Sequence, residues 1–160
     1  MNSPVNFSVE ESATTYRHST HTFLGFAESI PASDLDKKSG KDPWTPRMVI
    51  HHVADSEANS YVRLRRLLAE PGTLIQGYEE SAWASTSALG YADLPVTGAL
   101  AVISAVREAS ASILERVSQT QLLNECVHSE SGKYLLSDWI TTYQQHPLDH
   151  LSQIRSILSS

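Results

Sequence analysis

Seven histidines in a chain of 160 residues are the conspicuous chemical excess of this sequence. His146 and His150 stand four residues apart, which on a helix places them one turn apart and only about 40° around the axis. That is the disposition a metal-binding pair requires. Leu136, Trp139, Tyr143, Ile154 and Ile157 share the same side, so both imidazoles should face an interior. An inward imidazole is costly unless its nitrogens find partners. A metal ion meets that need, and so would a backbone carbonyl or a carboxylate. A third ligand can come from the adjacent pair His51-His52. Neighbours on a helix diverge by about 100°, so at most one of the two joins the same ion. His52 opens a polar stripe with Ser56, Asn59 and Arg63 beside the apolar Val49, Val53 and Leu67. Such a stripe either walls a polar cleft or faces water, and periodicity alone slightly favours water. His51, on the opposite edge of the apolar face, stays open as the alternative.

The remaining chemistry-bearing residues have simpler readings. Glu57, Asp55 and Asp149 could orient imidazoles, because ligand histidines usually give their second N–H to such groups. Glu57 or Asp55 is also the expected general base, on nearness in sequence to His52. His18 and His21 read as exposed helix surface, and His128 as a structural or surface residue. Cys126 reads as a buried, inert thiol. Arg63 could meet an anionic substrate, with a salt bridge the plainer use. Trp83 and Trp139 read as core. The sequence holds no Gly-rich phosphate loop, no Ser-His-Asp order and no Cys-x-x-Cys pair.

Four long amphipathic helices must position these residues. The first is predicted over Val9 to Ile30, with Ser8 and Glu11 at capping-box spacing and Pro31 as its stop. Residues 32–43 read as a solvated loop. Thr45 caps the second helix, Pro46 occupies its first turn, and Pro71-Gly72 follows its end near Glu70. The connection from Thr73 to Pro95 is too long to be structureless and should carry a short helix near Glu79–Ala84 with Trp83 turned inward. The third helix is predicted over Thr97 to Ser118. Cys126–His128 and Lys133–Leu135 then form a small hairpin, and the fourth helix starts after Ser137 and ends near Leu158. Pro147 falls inside it and is expected to kink it. The expected fold is therefore all-α, a four-helix bundle with a small hairpin before the last helix, as one domain over residues 1–160.

Bulk properties narrow the function. Lys and Arg number 12 against 18 Asp and Glu, for a net charge of −6, which argues against a general nucleic-acid binder. No apolar run approaches the roughly 20 residues of a membrane span, and residues 1–19 lack the basic and apolar regions of a secretory signal. A single cysteine excludes an internal disulfide framework and fits a cytoplasmic location.

The segment Trp44 to Glu57, a tryptophan at a helix start followed eight residues later by His52, resembles the first signature of the DinB-like superfamily. His146-Pro147-Leu148-Asp149-His150, running into Gln153-Ile154, resembles the second. The YfiT-like branch, which holds metal-dependent hydrolases and bacillithiol transferases, is the nearest likeness. His51 to Ser56, Asn59 to Tyr61, Arg63, Tyr78 to Ala84 and Val127 to Leu136 carry it. The resemblance implies an up-down-down-up bundle, a divalent metal on His52, His146 and His150, and often a homodimer. Glu57 departs from that pattern, which often has another histidine there. The expected protein is an enzyme with an open three-histidine site, with zinc first and nickel second as cofactor. It would act on a small molecule, by hydrolysis or by transfer of a low-molecular-weight thiol. A non-catalytic, stress- or DNA-damage-inducible metal-binding dimer is the alternative.

Overall fold

The computed structural model describes residues 8–160. The first part of the segment read as lacking a secretory signal, residues 1–7, lies outside them.

The long helices are α1 (Val9–Glu28), α2 (Pro46–Ala69), α4 (Val96–Leu114) and α5 (Leu136–Leu158). A short α3 (Glu80–Ser85) and strands β1 (Leu74–Ile75), β2 (Glu125–His128) and β3 (Gly132–Leu135) complete the set. Local chemistry sets the helix starts. The Ser8 hydroxyl accepts from the Glu11 N–H at 3.3 Å, and Thr45 does the same for Met48 at 3.3 Å, each satisfying one orphan donor of a first turn. The cap expected at Ser137 is displaced upstream. The Asp138 carboxylate reaches back to accept from the Leu135 N–H at 2.9 Å, so α5 begins at Leu136. Helices α1 and α4 end two and four residues short of their expected ends.

Apolar residues gather in two clusters, one toward each end of the bundle. The first joins Ala13 and Tyr16 of α1 with Leu64 and Leu67 of α2, Leu114 of α4, and Leu136 and Trp139 of α5. The second joins Phe23 and Ala27 with Val49 and Val53, Ile103, and Leu151 and Ile154. The early part of α1 and α5 therefore lies at the end where α2 and α4 finish, an up-down-down-up order. Helix α1 packs on α4 and α5, and α2 packs on the same two, so α1 lies diagonal to α2 and α4 diagonal to α5, while the consecutive α2 and α4 are neighbours.

The expected hairpin forms from β2 and β3, with Val127 opposite Lys133 and the left-handed Gly132 (φ 76°) at the turn. The structure adds β1, parallel to β2, which two residues could not signal by periodicity. Helix α4, contrary to expectation, is long and apolar enough to match a membrane span. It packs here as a wall of the bundle and carries Arg107 on its inner face. Trp83 is half-buried against the Tyr78 ring, 4.5 Å between centroids, rather than in the core.

Between the two apolar clusters lies a polar layer centred on Arg107, which is completely buried. Its guanidinium donates to Glu57 Oε1 at 2.8 Å, Thr20 Oγ1 at 2.7 Å, Ser19 Oγ at 2.9 Å and the carbonyls of Tyr16 and Tyr143 at 3.2 and 3.0 Å. One side chain of α4 thus bonds α1, α2 and α5. The Tyr143 carbonyl is available because Pro147, four residues on, has no N–H to give it. Helix α5 runs unbroken through Pro147, and Arg107 takes up the bond that the proline leaves unmade. Removing one partner of a buried ion pair strands the other charge. Arg107→Met is accordingly expected to lower unfolding free energy by about 3–5 kcal/mol in urea titration, and R107M/E57Q to lose less than R107M alone.

Candidate metal centre

His52 of α2 and His146 and His150 of α5 meet at the edge of this polar layer. One ligand atom from each lies within 4.8 Å of the others. His146 Nε2 and His150 Nε2 are 3.2 Å apart, and the His52 ring centroid lies 4.7 Å from that of His150 and 5.9 Å from that of His146. His52 is 1% exposed, so its stripe walls a cleft and the solvent-facing alternative is set aside. His51 points elsewhere, its Nε2 3.2 Å from the Leu94 carbonyl.

Each α5 imidazole is held by its other nitrogen. His146 Nδ1 lies 3.3 Å from Glu57 Oε1, and His150 Nδ1 lies 2.8 Å from Gln153 Oε1, while the Gln153 amide donates to Asp42 at 2.8 Å. With both Nδ1–H groups donating to oxygens, both Nε2 lone pairs face one another. Two neutral Nε2 lone pairs at 3.2 Å repel, and either a proton held between them as N–H···N or a shared metal cation relieves that repulsion. His52 adds a third buried imidazole, its Nδ1 without a hydrogen-bond partner among the described residues. The Trp44 ring packs against His52 at 4.9 Å between centroids, which restrains the imidazole. Burial, then the neighbouring imidazoles, pushes the His52 pKa down to about 3. Burial and His146 lower that of His150 to about 4. Neutral imidazole is the form that binds metals. The donor set therefore fits a divalent cation of the zinc type, with fewer protein ligands than a closed structural site uses.

Neither expected base is placed to act as one. Glu57 is fully buried, with Oε1 shared between Arg107 and His146 and Oε2 3.2 Å from the Ser60 hydroxyl. Burial works to raise its pKa, and Arg107 and His146 together outweigh it, leaving Glu57 below the ordinary value. Its position is that of a carboxylate orienting a ligand histidine. Asp55 accepts from the Tyr91 hydroxyl at 2.7 Å and lines a cavity with His51 on another face. Asp149 accepts from Gln145 at 2.8 Å. A second carboxylate near the cluster is Glu80 of α3, Oε2 lying 4.0 Å from His52 Nε2. It lies in a connection where helical spacing gives no guide to what faces what.

Trp139 is core, as expected, donating to the Ser60 carbonyl at 3.0 Å. His18 and His21 are exposed, Cys126 is buried, and His128 is buried with its Nδ1 accepting from the Glu130 N–H at 3.3 Å. Arg63 forms no salt bridge among the described residues. It donates to the Tyr143 hydroxyl at 3.0 Å and the Gln76 carbonyl at 3.3 Å.

Comparison with known proteins agrees with this architecture. Residues 15–154 match the DinB superfamily, and the chain belongs to that family. A protein of Oceanobacillus iheyensis named a "Putative metal-dependent hydrolase" is 35% identical over 123 residues, 77% of this chain and 70% of its own length. A Bacillus mycoides protein of the same description is 33% identical over 129 residues, 78% of this chain and 73% of its own. The structure of YfiT from Bacillus subtilis is described as "a probable metal-dependent hydrolase with an unusual four-helix bundle topology". It superposes with a TM-score of 0.86 at 22% identity, covering 98% of this chain and 91% of YfiT. That likeness establishes the fold.

Two outcomes follow from this geometry. Untagged protein should bind one divalent ion, and His52→Ala, His146→Ala or His150→Ala should abolish stoichiometric binding; E57Q and Q153L should weaken it by about 10–100-fold in competition with a chelating dye. In the metal-free protein, His52 and His150 take up protons more readily unfolded than folded. Stability should therefore be full above about pH 6.5 and decline as pH falls toward about 4, a slope that His52→Gln should reduce in urea titrations at stepped pH.

Proposed function

We propose that this protein is a divalent-metal-dependent hydrolase acting on a small molecule at the His52, His146 and His150 cluster. The observation that carries the reading is the pair of Nε2 atoms at 3.2 Å, each imidazole pinned through Nδ1. Zinc is the first choice and nickel the second, because imidazole suits both. A divalent ion bound there supplies Lewis acidity toward a carbonyl, a water or a thiol, with positions left open. The protein's own groups do the rest. Glu57 and Gln153 keep the Nδ1 protons and aim the ring lone pairs. Glu80, about half exposed, is placed to accept a proton on the open side. Tyr78 presents near Ser56 a buried hydroxyl with no hydrogen-bond partner among the described residues, a polar group available to a bound molecule. The same arrangement could also bind and deprotonate a low-molecular-weight thiol, so thiol transfer is the competing chemistry. Function in the cytoplasm as a homodimer completes the proposal.

The test begins with elemental analysis of protein purified without a histidine tag, followed by two activity panels, one of esters and amides and one of a thiol with electrophiles. We expect hydrolysis that falls at least about 100-fold in His150→Ala with helical content retained. E80Q should lose about 10–100-fold in kcat while keeping its metal. Turnover confined to the thiol panel would replace hydrolysis by transfer. Metal that raises the melting temperature without turnover in either panel would favour a metal-binding protein with no catalytic role.

A further inference from the structure

Arg63 and Arg66 stand three residues apart on α2 and, like Arg65, Arg116 and Arg155, have no carboxylate partner among the described residues. Among the described residues, Arg63 donates only to the Tyr143 hydroxyl and the Gln76 carbonyl, and Arg66 only to the Leu74 carbonyl at 2.8 Å. A guanidinium offers five N–H donors in a fork that matches a carboxylate or phosphate, so both retain unused donors. These two cations line one cavity of about 150 Å³, with Asn59 and Gln76 on its wall. That volume is well under the 300–1,000 Å³ of pockets that take a whole drug-sized ligand, and it suits a single oxyanion group.

The cavity is tied to the histidine cluster by geometry. His52 and Arg63 are eleven residues apart on α2, which puts them about 20° apart around the helix and about 16 Å apart along it. Long helical side chains lean toward the N-terminus, which is toward His52. The Tyr143 hydroxyl that receives the Arg63 N–H belongs to a ring 5.7 Å from the His146 ring. Resting on the reading of that cluster as the reaction site, we infer that Arg63 and Arg66 form an anion-binding subsite that holds a carboxylate or phosphate group of the substrate. The substrate class is then an anionic small molecule whose charged group lies remote from the reacting bond. Binding energy from that remote group would be available to position the reacting bond.

The subsite can be tested without metal. Inorganic phosphate and acetate are titrated into the metal-free protein at low ionic strength and followed calorimetrically. We expect saturable binding of at least one, the stronger of the two identifying the group recognised. R63Q and R66Q should each weaken it by about tenfold or more, the size of one lost charge-assisted bond, with the exposed K133Q as unchanged control. Arg66 makes a single carbonyl bond, so R66Q decides the matter if R63Q fails to fold. Absence of saturable binding, or equal binding by the variants, overturns the subsite. In the zinc-loaded protein, an ester bearing a distal carboxylate should have a higher kcat/KM than its neutral analogue, and R66Q should erase that difference with zinc stoichiometry intact. Anion binding without that preference would overturn the assignment to the substrate. Loss of zinc binding in the parent protein would instead defeat the reading of the metal site and leave the anion titration standing.

Discussion

The buried pair formed by Arg107 and Glu57 is the constraint on which the rest of the structure hangs. An ion pair taken fully out of water is expensive, and it persists where additional hydrogen bonds satisfy the remaining donors. Here every long helix contributes to that satisfaction. Helix α1 gives hydroxyls and a carbonyl, α2 gives the carboxylate, and α5 gives a carbonyl released by its own proline. Two apolar clusters, one on each side, keep water from the layer. Sliding any helix by a turn would leave a charge or a carbonyl unpaired, so the pair fixes the register of the four helices as well as holding them.

The candidate metal centre inherits its geometry from this layer. The Glu57 oxygen that accepts from Arg107 also faces His146 Nδ1, so the cation that orders the bundle also aims a candidate ligand. His150 is held independently, from the surface side, through Gln153 and Asp42. One imidazole is thus anchored to the interior and its neighbour to the loop before α2. The two candidate ligands share a helix face with Pro147 between them, and the carbonyl that the proline leaves without a backbone donor is bonded from α4.

Much of this was legible in the residue order, and the exceptions have physical causes. The four helices, the pairing of His146 with His150 and the burial of Trp139 follow from a 3.6-residue period that core packing enforces. The choice of His52 over His51 came from the likeness to a family, since both flank the same apolar face. The role of Arg107 has no local pattern in the residue order, because its partners lie on three other helices. Proximity to His52 points to Glu57, and its orienting role depends on that distant arginine. The ends of α1 and α4, the strand β1 and the reach of Glu80 depend on tertiary contacts that no local pattern encodes.

Because α2 and α4 run in the same direction, the chain must travel back along the bundle between them. Residues 74–94 make that return beside α2, meeting in turn Arg66, Arg63, His52, Asp55 and Arg47. The rigid helices hold the imidazoles, and this single returning strand of chain forms the facing wall. Replacement, lengthening or shortening of residues there could reshape what the cleft admits without disturbing the ligands or the buried pair. Such a division lets one scaffold vary what its cleft admits through a segment distinct from the helices that hold the imidazoles.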